Sequence, residues 1–158
     1  MAEYSANAVQ IVNPGESVVF TNSPIPCYKN LILHRDETGN FLLRGYAPNY
    51  YSGCGCGCRG NNSVSFLVNF GCNVSIPEGG VAGEISLALA VDGTTVPTSS
   101  MIVTPAAVNE YWNVHTAIFV PVWKGCCETV TVRNTSTVPI QVQNANIIFS
   151  RPDLYITR

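Results

Sequence analysis

The side chains with the most reactive chemistry are concentrated in a cysteine–glycine segment. Seven cysteines occur among 158 residues, and Cys54, Cys56 and Cys58 alternate with single glycines. Glycine lets a loop fold back tightly, and thiolates are ligands that zinc and other thiophilic metals prefer. A C-x-C-x-C run lacks a fourth ligand, which Cys27 or a symmetry mate would have to supply. Three alternatives stay open: a metal site at Cys54, Cys56 and Cys58, disulfides formed after release from the cell, or free thiols.

The remaining cysteines have simpler interpretations. Cys126 and Cys127 follow Lys124 and Gly125 at a turn, and adjacent cysteines rarely bridge each other. We expect one inward and one outward thiol there, with disulfides between subunits as the alternative. Cys72 falls on an apolar face and is expected to be a small buried hydrophobe.

The two histidines, His34 and His115, lie inside predicted strands with apolar neighbours. A pair acting with a cysteine nucleophile is conceivable, but a structural or interface histidine is the commoner case in a β-sandwich. The chain contains no G-x-S-x-G, H-E-x-x-H or P-loop motif. We therefore predict a protein that is not an enzyme, with no catalytic residue and no cofactor besides the metal considered above.

The longest regular pattern runs through residues 63–91. In SVSFLVNFGCNVS every second residue is apolar, and after a Pro-Glu-Gly-Gly turn the alternation returns in ISLALAV. Because side chains in a strand point alternately to opposite faces, each segment is predicted to be a strand with one apolar side. We expect the two strands to supply the inner sheet of a sandwich.

The rest of the chain reads as short strands separated by turn residues, with no sustained helical period. Asn13-Pro14-Gly15 and Asp92-Gly93 are turn signals, and residues 47–62 form an irregular Cys/Gly loop. The fold class predicted is all-β, an antiparallel jelly-roll β-sandwich of about 8–10 strands, in a single domain over residues 1–158. Besides the segments above, strands are predicted over residues 8–12, 16–21, 31–35, 41–46, 101–104, 111–123, 128–134 and 140–149.

Residues 111–123 carry large side chains on both faces. Trp112, Val114, Ile118 and Val120 alternate with Tyr111, Phe119 and Trp123. A strand that is apolar on both sides is covered on both sides, and in a small sandwich another subunit can provide the second cover. Core and interface roles are therefore expected for Tyr111, Trp112, Phe119 and Trp123.

The amino-acid composition limits the kinds of partner that we expect for this protein. Charged residues make up 11% of the chain, against ~25% in typical soluble domains, which favours assembly with other subunits. The formal net charge is -2 and the eight basic residues are scattered, so no nucleic-acid partner is expected. No apolar run suggests a membrane span and no secretory signal is present; we expect synthesis in the cytoplasm and release by lysis.

Segment order gives a first resemblance. The hairpin TGNFLL (residues 38–43), the strand pair around ISLALAVDGTTV (residues 85–96) and the strand TVTVRN (residues 129–134) occur in this order. The arrangement resembles the trimeric jelly-roll heads of the tumour necrosis factor and complement-head type, including those of bacterial exosporium proteins. It implies a homotrimer.

A second resemblance covers nearly the whole chain. The segments NPGESVVFTNSPIPC, SMIVTPAAVNEYWNV, GCCETV and QNANIIFSRPDL are similar to those of small structural proteins of Firmicutes phages and prophages. The resemblance implies a non-enzymatic capsid decoration or head-fibre protein in the virion, with the major capsid or another virion protein as partner. Alternatives are a spore- or cell-surface jelly-roll head, or a carbohydrate-binding adhesion module contacting a host surface glycan through Tyr46, Tyr50 and Tyr51.

Overall fold

The protein folds into two antiparallel β-sheets packed face to face. The structure, a computed structural model, describes residues 1–27, 30–45 and 63–151. Twelve strands occur in this part of the chain, and the predicted all-β jelly-roll sandwich is confirmed. The strand count is higher than the predicted 8–10 because several strands have only two to four residues. Residues 47–62, predicted to be a loop, lie outside the described residues.

The strands are β1 (Ala2–Ala6), β2 (Gln10–Val12), β3 (Asn22–Ile25), β4 (Ile32–His34), β5 (Phe41–Arg44), β6 (Ser63–Ser75), β7 (Ile85–Val91), β8 (Thr94–Thr95), β9 (Met101–Val103), β10 (Trp112–Trp123), β11 (Cys127–Asn134) and β12 (Ile140–Ser150). Sheet 1 has the order β10-β6-β12-β1-β3, with β2 also paired to β12. Sheet 2 has the order β4-β5-β11-β7-β8, with β9 also paired to β7. A single 3-10 turn, Pro97–Ser99, precedes β9.

Aromatic rings fill the space between the two sheets. Phe20, Phe41, Phe66, Phe70 and Phe149 are fully buried, and burying one such side chain contributes about 1.5–3 kcal/mol. Phe41 and Phe149 lie with ring centroids 4.9 Å apart, and Phe20 meets Phe41 edge-on at 5.2 Å. These contacts join sheet 1 to sheet 2 through one continuous core.

The expectation that residues 63–91 supply one inner sheet is wrong. β6 pairs with β10 and β12 in sheet 1, whereas β7 pairs with β11 in sheet 2. The turn between them carries the chain across the core, so that each strand's apolar side covers the other's. Alternation correctly identified both strands and their buried sides, but it cannot say which strands become hydrogen-bonded neighbours.

The N-terminal segment also differs from the prediction. β1 and β3 were not predicted, and β3 tolerates Pro24 because it lies at the edge of sheet 1. Residues 16–21 do not form the predicted strand. There the Gln10 side chain takes the place of a strand partner, accepting from the Val19 N–H at 2.8 Å and donating to the Val19 carbonyl at 3.0 Å.

The two hairpins behave as predicted. β4 pairs with β5 around residues 35–40, and β7 pairs with β8 around Asp92-Gly93. Asp92 has φ 48° and Gly93 φ 80°, the positive values that a type I′ turn requires at both central residues. This turn matches the twist of the strands that it joins.

Candidate functional site

The strand β10 lies at the edge of sheet 1 and presents one side away from the core. Within the described residues it pairs only with β6. Val114, Val120 and Val122 point inward and are buried. The alternate positions form part of what we call the outer face, the side of sheet 1 turned away from the core.

The four aromatic residues predicted at the interface are all partly exposed. Their exposed fractions are 39% for Tyr111, 45% for Trp112, 62% for Phe119 and 50% for Trp123. Phe119 and Trp123 lie together on the outer face, opposite Leu67 and Ser63 of β6. The described part of the chain thus leaves about half or more of these two aromatic side chains exposed.

Tyr111 and Trp112 lie at the other end of β10. Gln141 of β12 donates a hydrogen bond from Nε2 to the Tyr111 hydroxyl. Trp112 is opposite the buried Val74. Its side chain therefore lies on the core side of sheet 1, where it is still partly exposed at the end of the sandwich. The structure does not bring all four aromatic residues together.

The outer face carries almost no charge. Glu3 is the one Asp, Glu, Lys or Arg at the outward positions of β1, β6, β10 and β12, all of which are described. Its carboxylate accepts a hydrogen bond of 2.6 Å from Asn146 Nδ2. On sheet 2, by contrast, outward positions include Arg44 and Arg133. Charge depletion is thus a property of one face and not only of the average composition.

The outer face divides into two regions along β10. The apolar half, toward the end of β10, comprises Leu67, Ala117, Phe119, Pro121 and Trp123. The amide groove, toward its start, is a cavity of about 320 Å³ above Gly71, lined by the side chains Asn69, Asn73, Asn113, His115, Asn144 and Asn146.

Backbone register assembles the amide groove from three strands. Asn113 of β10 lies opposite Asn73 of β6, and His115 lies opposite Gly71. Gly71 also pairs with Asn146 of β12, next to an irregularity where Asn144 adopts φ 52°. Because Gly71 has no side chain, the floor of the groove is backbone. Sequence reasoning missed this site: alternation puts Asn69, Gly71 and Asn73 on one face, but the strands that complete the groove follow only from register.

A hydrogen bond organises the amides within the groove. Asn113 Nδ2 donates to Asn73 Oδ1 at 3.2 Å and to the Cys72 carbonyl at 3.4 Å. Those bonds use both N–H groups of Asn113 and leave the Asn113 carbonyl oxygen and the Asn73 NH2 group for other partners. One acceptor and one donor are therefore held side by side.

The two histidines lie on different sheets. His34 is at the edge of sheet 2, where its ring stacks on Phe41 at 4.6 Å and its Nε2 lies 3.0 Å from the Thr38 carbonyl. His115 lies on the outer face of sheet 1. His34 packs against core aromatic rings at the edge of sheet 2, and the two histidine rings do not form a pair.

The cysteines have different environments. Cys54, Cys56 and Cys58, predicted as metal ligands, lie outside the described residues, as do Tyr46, Tyr50 and Tyr51. Cys72 is buried as predicted, and burial raises the pKa of its thiol to about 12. Cys126 is disulfide-bonded, which corrects the expectation of two thiols at this turn. Within the ranges 1–27, 30–45 and 63–151, no three His, Cys, Asp or Glu side chains cluster as a metal site would require.

The carboxyl group of Glu128 is a weaker acid than an ordinary glutamate side chain. Glu128 of β11 lies beside Asp92 of the β7–β8 turn. Burial, reinforced by a hydrogen bond and the charge of Asp92, raises the pKa of Glu128 to about 7. Asp92 itself is held by the Thr129 N–H, which donates to its Oδ1 at 2.7 Å.

In the described part of the chain, no helix is long and apolar enough to cross a membrane. No known family model and no curated protein matches the sequence.

Solved structures show where else this fold occurs. The globular domain of zebrafish complement 1qA protein is similar with a TM-score of 0.58 at 11% identity, covering 93% of this chain and 94% of that one. Eiger TNF from S. frugiperda is similar with a TM-score of 0.60 at 10% identity, covering 95% and 90% respectively. Likeness at such low identity concerns the fold alone. The resemblance to tumour necrosis factor and complement heads is thus confirmed at that level: the chain has a C1q- and TNF-like jelly-roll fold.

Proposed function

We propose that the protein is a non-enzymatic structural component of a phage particle, a capsid decoration or head-fibre protein that assembles as a homotrimer. The observation that carries the assembly is the nearly charge-free outer face with Phe119 and Trp123 exposed on it. Interface cores are depleted of charged residues and enriched in aromatic ones. The proposal assigns no catalytic residue.

Charge supports a second copy of this chain as the partner of the apolar half. A neutral surface can meet another neutral surface without burying an unpaired charge, which would be costly. A closed ring of three chains uses two different patches on each subunit, so the apolar half would contact a second region of its neighbour. Within the described residues, β10 has a strand partner on one edge only. An exposed edge strand is prone to unwanted pairing with other chains, and a second copy of this chain would cover it.

Size measurement in solution tests the assembly. Light scattering coupled to size-exclusion chromatography is expected to give about 51 kDa, three times the 17.0 kDa of one chain. Phe119→Glu places a charge in the apolar half and is expected to yield monomers, since losing an aromatic anchor typically costs about 2 kcal/mol or more. Ile102→Glu is the matched control, because Ile102 is 58% exposed on sheet 2. A wild-type monomer at micromolar concentration would contradict the trimer, and a trimer that survives Phe119→Glu would contradict a subunit contact through the apolar half.

The virion location is supported by the resemblance of the four segments quoted above to phage structural proteins. It implies synthesis in the bacterial cytoplasm, release by lysis and contact with the major capsid or another virion protein. Quantitative mass spectrometry of purified particles is expected to find this chain at a fixed ratio to the major capsid protein. Recovery only in the particle-free lysate would refute this location and favour the spore- or cell-surface head.

The carbohydrate-binding module is the second candidate. The tyrosines from which the sequence analysis inferred glycan contact, Tyr46, Tyr50 and Tyr51, lie outside the described residues. The amide groove provides a separate reason to consider it.

A further inference from the structure

We propose that the amide groove binds a neutral saccharide. The inference does not require the trimer, because the apolar half and the groove occupy different stretches of β10. Along β10, Phe119 lies four residues from His115 and Trp123 eight, or about 14 Å and about 27 Å at ~3.4 Å per residue. A subunit contact centred on Trp123 and Phe119 therefore leaves room for a small ligand near His115.

Hydrogen-bonding capacity identifies the class of ligand. A sugar hydroxyl both donates and accepts, and the Asn113 carbonyl oxygen beside the Asn73 NH2 group offers the matching acceptor and donor. Asn146 adds another carbonyl oxygen, since its NH2 group is already engaged by Glu3. Because Asn113 and Asn73 hold one another in place before a ligand arrives, binding loses less side-chain freedom.

The charged groups around the groove limit the class of ligand further. Among the described residues that line the groove there is no Lys or Arg, so they offer an acidic sugar or a phosphate no fixed positive charge. Glu3, which accepts the hydrogen bond from Asn146 Nδ2, is itself an anion. A neutral, hydroxyl-rich ligand is therefore favoured over an anionic one.

Size and shape agree with a short saccharide. The groove has a volume of about 320 Å³, at the lower end of the ~300–1,000 Å³ typical of ligand sites. Ile148 provides an apolar patch in its wall, on which the carbon skeleton of a sugar ring can rest. The glycine floor lets the ligand approach the backbone of β6.

The test is saturation-transfer NMR on the intact protein with two neutral probes, chitotriose and mannotriose, and sialyllactose as the anionic comparison. We expect signal from at least one neutral probe and none from sialyllactose. Asn113→Ala removes one side of the amide pair and is expected to weaken binding by about fivefold to tenfold. Asn22→Ala, an exposed asparagine on β3, is the matched control and should leave binding unchanged.

Gly71→Ala gives an independent test. A Cβ at Gly71 would lie 3.5 Å from the Val114 carbonyl and 3.6 Å from His115 Cδ2, which is ordinary contact, so the strand should still form. The added methyl raises the floor of the groove and is expected to weaken saccharide binding while the melting temperature is retained.

Two results would overturn the inference. One is the absence of signal from both neutral probes with the folded wild-type protein. The other is a shift in oligomeric state on Asn113→Ala or Gly71→Ala with no effect on saccharide signal, because the groove would then belong to a subunit contact. Failure of the trimer is recognised separately, by a wild-type monomer that still binds saccharide.

Discussion

Cys72 and Glu128 have large pKa shifts among the described residues. The Cys72 thiol is buried, and its pKa is raised to about 12, so it behaves as a small apolar side chain. The carboxyl of Glu128 is only half-buried, but burial and Asp92 raise its pKa to about 7. Cys72 was predictable from strand alternation. Glu128 was not, because Asp92 lies in a turn far away in sequence and reaches it only through the pairing of β7 with β11.

The pKa of Glu128 makes stability depend on pH. Its value is raised from 4.5 to about 7 on folding, so the folded state binds the proton more tightly than the unfolded state. The stabilisation by this proton is complete below about pH 4.5 and is lost as pH rises through 7. Glu128→Gln should therefore reduce the fall in melting temperature between pH 5 and pH 8.

Thermal unfolding followed by circular dichroism at pH 5, 6, 7 and 8 measures this effect. The exposed Glu84→Gln controls for the general loss of one negative charge. Parallel pH profiles for the wild type and Glu128→Gln would show that the Asp92–Glu128 contact does not influence folding.

Whole elements were predictable where alternation was long enough. β6, β7, β10 and β12 each extend over seven residues or more. The buried sides of β6 and β7 follow directly from their sequences, whereas β10 carries large side chains on both faces and its sequence does not separate core from interface. The short strands β1 and β3 carry too few alternating residues to stand out. The amide groove was not predictable either, because Asn73, Asn113 and Asn146 come from strands whose register depends on the complete sheet.

Residues 17–20, between β2 and β3 of sheet 1, contact strand β11 and the β4–β5 hairpin of sheet 2, and they depend on close backbone contact at Gly39. A Cβ there would overlap the Val18 carbonyl oxygen and approach Ser17 Cβ at 2.9 Å. We expect Gly39→Ala to lower the free energy of unfolding by about 2 to 3 kcal/mol, as overpacking typically does. The cause would be separation of residues 17–20 from the β4–β5 hairpin.

Urea denaturation measures this loss. Gly83→Ala is the control, since its nearest neighbour to an added Cβ is the Val81 carbonyl at 4.0 Å. Equal stability of the two variants would show that residues 17–20 shift at little cost.

At the scale of the whole molecule, the two sheets have outer faces of different character. Sheet 2 places Arg44 and Arg133 at outward positions, and the Arg133 guanidinium donates to the Gly93 carbonyl at 3.1 Å. Sheet 1 presents amides, small residues and exposed aromatic rings, with Glu3 as its charged group. The small number of charged residues therefore indicates an interface only when the fold shows which sheet face carries them.

Association through the outer face should be insensitive to salt. Salt screens interactions between exposed charges, and the apolar half has none. Sedimentation velocity at 0.05 M and 1 M NaCl is expected to show the same distribution of species. Dissociation at high salt would mean that ion pairs hold the subunits together, and that the charged face of sheet 2 takes part.

The position of β12 has a consequence for synthesis on the ribosome. β12 is the last of the described strands along the chain, yet it lies between β6 and β1 and also pairs with β2. Until β12 leaves the exit tunnel, β2 has no partner among the described strands, β1 pairs only with β3, and the apolar side of β6 is only partly supported. Completion of the sandwich must therefore wait until residues 140–150 have been made. A nascent chain of this kind depends on protection from premature aggregation while its middle strand is still being made.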